Sequence, residues 1–148
     1  MALDVRVERV IGLPPEKVAA YAMDWRHDHE WTQGIREAAL TKPADGEEFG
    51  VGAEVTRTAY FLGKRIDYVL RVAAYDPPTE LDMESVAGPM PMHVTYRFDP
   101  HPDGTLASIR VRGDASTYYR IAGPMMAAIV RRNLTKDLQD LEHQLSGD

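Results

Sequence analysis

Few residues in this chain have chemistry to offer: Arg57, Tyr68, Tyr96, His93 and the group His27, His29 and Glu30. Arg57 sits in a strand-like run. Val55, Arg57 and Ala59 share one face there, and Glu54, Thr56, Thr58 and Tyr60 the other, so alternation alone does not say which face is buried. If Arg57 turns inward it needs an acidic partner or an anionic ligand group, because unpaired burial of charge is expensive. On the rim it would form an exposed ion pair of small worth. Tyr68 and Tyr96 carry hydroxyls that must find a partner or water when buried, and either can bond a carbonyl or act as a weak acid. A purely structural tyrosine does the same with protein groups. Catalytic residues are not assigned by these patterns; Tyr96, Tyr68 and Arg57 are the candidates.

Other combinations argue against themselves. His27, His29 and Glu30 are metal-ligand types, but a spacing of two does not put both imidazoles on one helix face, so they read as surface. Period two sends His93 to the face opposite Met92 and Tyr96, away from acid–base work with them. Gly50-Val51-Gly52 lacks a third glycine and runs into a strand pattern rather than a helix N-terminus, so it is no nucleotide loop. Ser85, Ser108, Ser116 and Ser146 have no nucleophile elbow around them. With no cysteine, disulfides, thiolate zinc sites and a Cys nucleophile are excluded. Neither a metal nor a cofactor is expected.

At 148 residues and 44% hydrophobic content the chain can build one core, so positions 1–148 read as a single domain. A formal charge of −6 opposes the phosphate backbone and makes nucleic acid a poor partner. No stretch approaches the roughly 20 apolar residues that span a bilayer, and Met1-Ala2-Leu3-Asp4-Val5-Arg6 lacks a signal-peptide core. The expectation is a soluble, cytoplasmic protein without integral membrane association.

The elements that must position these residues follow from periodicity. Val5, Val7 and Arg9 alternate with Arg6, Glu8 and Val10 in a first strand. Pro14-Pro15-Glu16 then opens a short helix, where proline's missing N–H costs nothing and an acid favours the dipole. Val18, Tyr21, Ala22 and Trp25 form its apolar face, His27 to Trp31 predict a second brief turn, and Gly34 ends it. From Ile35 to Ser116 the chain reads as strands and tight turns. The clearest hairpin joins Met92–Phe98 to Leu106–Ala115 through His101-Pro102-Asp103-Gly104. Alternation turns Ile66, Tyr68, Leu70 and Val72 inward, with Leu81 and Met83, with Met92, Val94, Tyr96 and Phe98, and with Ala107, Ile109 and Val111. After Gly123-Pro124, residues Met125, Ile129, Val130, Leu134, Leu138, Leu141 and Leu145 mark one apolar stripe over about six turns. A helix that long must lie on something equally long, and the concave face of the meander is the one candidate.

In that order of elements, particular residues carry a resemblance. They are Pro14-Pro15-Glu16-Lys17-Val18, Trp31, Gly50-Val51-Gly52, Val72 with Tyr75-Asp76-Pro77-Pro78 and Leu81, Gly104-Thr105, and Asp137-Leu138 with Leu141-Glu142. Nearly the whole sequence resembles the START-like (SRPBCC) superfamily, in its polyketide cyclase/dehydrase-type branch. The resemblance implies an α+β helix-grip fold: about seven antiparallel strands curved around a long C-terminal helix, with two short helices after the first strand. It also turns Val55, Arg57 and Ala59 inward and implies a cavity between sheet and helix. The residues placed on that cavity are Tyr21, Trp25, Trp31, Arg57, Tyr68, Met83, Met92, Tyr96, Met125, Met126 and Ile129, although any one of them reads equally as core packing.

Because one fold hosts many functions, the activity has to come from the lining. The leading expectation is binding of a small hydrophobic molecule, aromatic polyketide-like, lipid-like or acid-bearing. A second is a cyclase or dehydratase acting on a poly-carbonyl substrate in the same cavity. A third is a ligand-free interaction or stress-response module with a filled core, against which a pocket of a few hundred cubic ångströms would argue. A homodimer through the sheet edge or the long helix stays open, since no unmatched apolar face demands one.

Overall fold

The computed structural model describes residues 3–114 and 119–146. Its strands are β1 (Leu3–Ile11), β2 (Ile35–Lys42), β3 (Glu54–Phe61), β4 (Lys64–Asp76), β5 (Glu80–Ala87), β6 (Met92–His101) and β7 (Gly104–Gly113). Helices α1 (Pro15–Ala22) and α2 (Asp28–Trp31) follow β1, with a 3₁₀ turn at Trp25–His27 between them; the long helix, α3 (Gly123–Ser146), closes the chain. All seven strands join one antiparallel sheet in the order β1-β7-β6-β5-β4-β3-β2. This is the α+β helix-grip architecture that the sequence implied. Ala115, where the sequence reading ends the last strand, and Ser116, where it ends the stretch of strands and turns, lie outside the described residues.

Strict alternation makes the sheet one-sided. Val5 and Val7, Val55 and Ala59, Leu70 and Val72, Leu81 and Met83, Tyr96 and Phe98, and Ala107 and Ile109 are all buried, while their strand neighbours, Ser108 excepted, reach solvent to varying degrees. Arg57 lies on the buried side of β3 between Val55 and Ala59, which resolves its ambiguity. Register shifts between Ile35 and Glu37, between Leu40 and Lys42, and twice along the β4–β5 ladder bend the strands locally.

Helix α3 fills part of that concavity with Met126, Leu134, Leu138 and Leu141. Two details differ from the sequence reading. Met125, expected on the apolar stripe, is 62% exposed; a helix advances about 100° per residue, so Met126 takes the inward position instead. Asp137 lies on the buried stripe, three residues after Leu134 and four before Leu141, and is 3% exposed. No helix among the described residues is long and apolar enough to cross a membrane.

The link from α2 to β2 needs a glycine. Gly34 has φ +80°, and a Cβ there would sit 2.3 Å from the Tyr60 carbonyl oxygen; the Gly34 carbonyl already accepts the Tyr60 backbone N–H at 2.9 Å, so the two segments cannot part freely. Gly34→Ala is therefore expected to lower stability by about 1–3 kcal/mol, seen as a fall in melting temperature. Gly46→Ala is the control: φ is +75° there, but nothing stands within 4 Å. Equal losses in the two variants would deny the close approach at Gly34.

Candidate ligand-binding cavity

Arg57 projects from β3 into the interior, 3% exposed, and meets Asp28, also 3% exposed, at the start of α2. Its Nε and Nη2 donate to Asp28 Oδ2 at 3.1 and 2.9 Å, and Nη2 also donates to the Tyr96 hydroxyl at 3.1 Å. Burial opposes the charge on Arg57, yet the adjacent Asp28, Tyr96 and Tyr68 hold its pKa well above the ordinary value. Burial pushes the Asp28 carboxyl up, against the pull of Arg57. The acidic partner that Arg57 needed is thus in the chain itself. Asp28 went unrecognised because it stands among His27, His29 and Glu30, which read as surface; only the tertiary fold turns one of that run inward.

Tyr96, from β6, is buried, and its pKa is raised to about 12 chiefly by that burial. The Trp31 ring leans on it with centroids 5.4 Å apart. Across from this group, α3 presents Asp137, whose Oδ1 accepts the Gln33 backbone N–H at 2.7 Å. Gln33 is held in turn by its side-chain Nε2 donating to Asp140 Oδ2 at 2.6 Å. Burial raises the Asp137 carboxyl to about 7, against the Gln33 hydrogen bonds and the charge of Arg57. The sequence contained a signal for it, since a carboxylate at a buried-stripe position is itself an anomaly.

These groups close one end of a cavity of about 160 Å³ between sheet and α3. Ile35, Ala59, Ile66, Val94, Ile109 and Leu134 supply apolar wall; Thr32, Gln33, Arg57, Tyr96, Asn133 and Asp137 supply the polar part. Exposed Tyr60 and Pro91 border it and mark its mouth. Thr32 Oγ1 is buried without a hydrogen-bond partner among the described residues.

Of the side chains expected on the cavity, Arg57, Tyr68, Met92 and Tyr96 line it. The others are placed elsewhere. Trp31 is buried against Tyr96; Trp25 and Met83 border a separate void of about 10 Å³ that Arg57 also lines, and Trp25 further lines an open groove of about 450 Å³ with Phe49 and Tyr75. Tyr21 stacks on His27 at 4.2 Å and donates to Glu30 near the surface. Met126 packs in the core, Ile129 is half-buried off the cavity, and Met125 is in solvent. Helical phase explains most of this: the stripe is wider than the part of α3 that faces the hollow, which is Val130, Asn133, Leu134 and Asp137. His93 lies on the opposite sheet face, bonded to Asp82 at 2.6 Å, as alternation required. No group of three or more His, Asp or Glu side chains is arranged for a metal among the described residues.

Two outcomes follow from these buried charges. Asp28→Asn leaves a guanidinium unpaired and is expected to cost about 3–5 kcal/mol, whereas the apolar pair Arg57→Met with Asp28→Leu should recover most of that in urea unfolding. A double variant as weak as the single one would contradict the pairing argument. For Asp137 the folded pKa of about 7 exceeds the ordinary value of 3.8, so the folded state holds the extra proton. Stability from this group is full below the lower value and lost as pH rises through the higher one. Asp137→Asn should therefore gain on the wild type in melting temperature between pH 5 and pH 8; a pH-independent difference would contradict the shift.

The chain matches the family described as polyketide cyclase/dehydrase and lipid transport over residues 2–146. No curated protein matches it. Among solved structures, a START superfamily protein from Mycobacterium smegmatis superposes with a TM-score of 0.80 at 13% identity, covering 99% of this chain and 97% of that one. The protein TTHA0849 from Thermus thermophilus does so at 0.79 and 18%, covering 97% of each chain. The Zhui aromatase/cyclase from Streptomyces sp. R1128 gives 0.78 and 14%, covering 98% of this chain and 94% of that one. At these identities the structural likeness speaks for the fold, and the family match, which spans all the described elements, shows that the chain belongs to the polyketide cyclase/dehydrase and lipid transport family.

Proposed function

We propose that this protein binds a compact hydrophobic molecule of one or two rings between its sheet and its long helix. The observation that carries the reading is an apolar hollow closed at one end by the polar group Arg57, Tyr96 and Asp137. Shape and burial supply affinity, and the polar end sets orientation. Size narrows the guest. An apolar cavity of about 150 Å³ holds benzene, whereas drug-sized ligands occupy roughly 300–1,000 Å³. At about 160 Å³ the hollow is near the first figure, so an extended lipid or poly-carbonyl chain requires the lining to open. The same size falls short of the mark that would by itself argue against a ligand-free module, so the case for a guest rests on the polar end.

A catalytic use of the site is favoured by one observation, the placement of a carboxyl titrating near 7 on the cavity wall. Such a group can take a proton from the carbon beside a ligand carbonyl and return it to a departing hydroxyl as water, while the Tyr96 and Arg57 end holds the carbonyl oxygen. Tyr96 itself, with its pKa raised to about 12, is a poor proton donor at neutral pH. The family description covers both carriers and cyclases. Native mass spectrometry of freshly purified protein is expected to show a co-purifying small ring compound. Incubation with short aromatic-forming poly-ketones then separates the two uses: an altered product ratio that disappears in Asp137→Asn while binding persists marks an enzyme, and unaltered ratios mark a carrier. Absence of both ligand and binding would remove the small-molecule reading.

A further inference from the structure

The charges around the cavity constrain the ligand's polar group more tightly than its walls constrain its shape. The charge of Arg57 is already paired: Nε and Nη2 rest on Asp28, and Nη2 also serves Tyr96. The Arg112 guanidinium turns away from the cavity to His93 on the opposite sheet face, 3.3 Å from its ring. Asp137 instead takes one backbone N–H on Oδ1, from Gln33, and its carboxylate neighbour on α3, Asp140, adds negative rather than positive potential. The buried end therefore combines one guanidinium with two carboxyl groups, Asp28 and Asp137. Nearby, the Thr32 hydroxyl oxygen is buried and has no partner among the described residues.

On the binding reading above, we infer that the ligand meets Asp137 and Thr32 with a neutral hydrogen-bond-donating group, a phenolic or alcoholic hydroxyl, and that carboxylates of the same skeleton are rejected. An anionic head meets at the deep end a guanidinium whose charge Asp28 already balances. It would lie beside a second carboxylate at low dielectric, where like charges repel strongly unless one of them takes up a proton. A hydroxyl does the opposite: it donates to an acceptor-only carboxylate and can accept from the Thr32 hydroxyl, meeting both buried groups at once. Of the two partners the sequence left open for Arg57, an acidic residue or an anionic ligand group, the first is present in Asp28, so the acid-bearing guest loses its counter-charge.

The probes are naphthalene, 2-naphthol and 2-naphthoate, compared by equilibrium dialysis at pH 8 with the wild-type protein and with Asp137→Asn. The wild type is expected to bind 2-naphthol more tightly than naphthalene and at least about tenfold more tightly than 2-naphthoate, a gap of about 1.4 kcal/mol. Asp137→Asn should shrink the gap between naphthol and naphthoate to less than about threefold, mainly by improving naphthoate, which amounts to about 0.7 kcal/mol recovered. Naphthoate binding as well as naphthol in the wild type, or naphthol no better than naphthalene, overturns the inference while leaving the cavity reading intact. Failure of all three probes overturns both. The wild-type comparison decides the matter even if the variant does not fold.

Discussion

A guanidinium cannot be taken out of water alone, and much of the site's arrangement answers that constraint. Arg57 enters the interior because β3 alternates and its neighbours Val55 and Ala59 belong to the core. Once inside, it needs a carboxylate, and Asp28 supplies it from a four-residue helix whose other anchor is the buried Trp31. The pair thereby pins α2 to the sheet. Trp31 is carried onto Tyr96, and the chain just beyond brings Gln33 to Asp137 on α3. Three distant segments are thus registered around one buried charge.

The same interaction sets the electrostatic character of the hollow. Had Arg57 remained unpaired it would have made the cavity an anion site; paired with Asp28 and Tyr96, it leaves Asp137 as the group whose charge state varies near neutrality. Burial is the cause in each case, acting against the charged form, and the outcome differs because a counter-charge stands within hydrogen-bond distance of Arg57 but not of Asp137. The apolar wall amplifies this by lowering the local dielectric.

The convex face of the sheet follows other rules. Arg110 with Asp4, Arg71 with Glu54, and Arg97 with Glu80 and Asp99 form cross-strand and along-strand ion pairs in solvent. Each is worth little on its own. Together they keep that face charged, which helps a sheet this wide stay one-sided: most of the strands' large hydrophobic side chains lie on the concave side, where α3 packs with Leu134, Leu138 and Leu141, while Val10 and Val86 are exceptions that stay exposed.

Periodicity in the sequence was sufficient for the architecture. Period two in the strands, the Pro14-Pro15-Glu16 helix start, the Asp103-Gly104 turn and the long terminal stripe each depend on interactions between near neighbours in the chain, so they are legible without coordinates. The inward placement of Tyr68, Met92 and Tyr96 followed from the same rule. The cavity's polar end was a different matter. Asp28 and Arg57 are 29 positions apart, and Gln33 and Asp137 are 104 apart. Whether a side chain within an apolar stripe fills the core, as Met126 does, or borders a hollow, as Asp137 does, depends on the angle at which α3 crosses a bent sheet. That angle is set by the packing of many residues at once, and no local pattern encodes it.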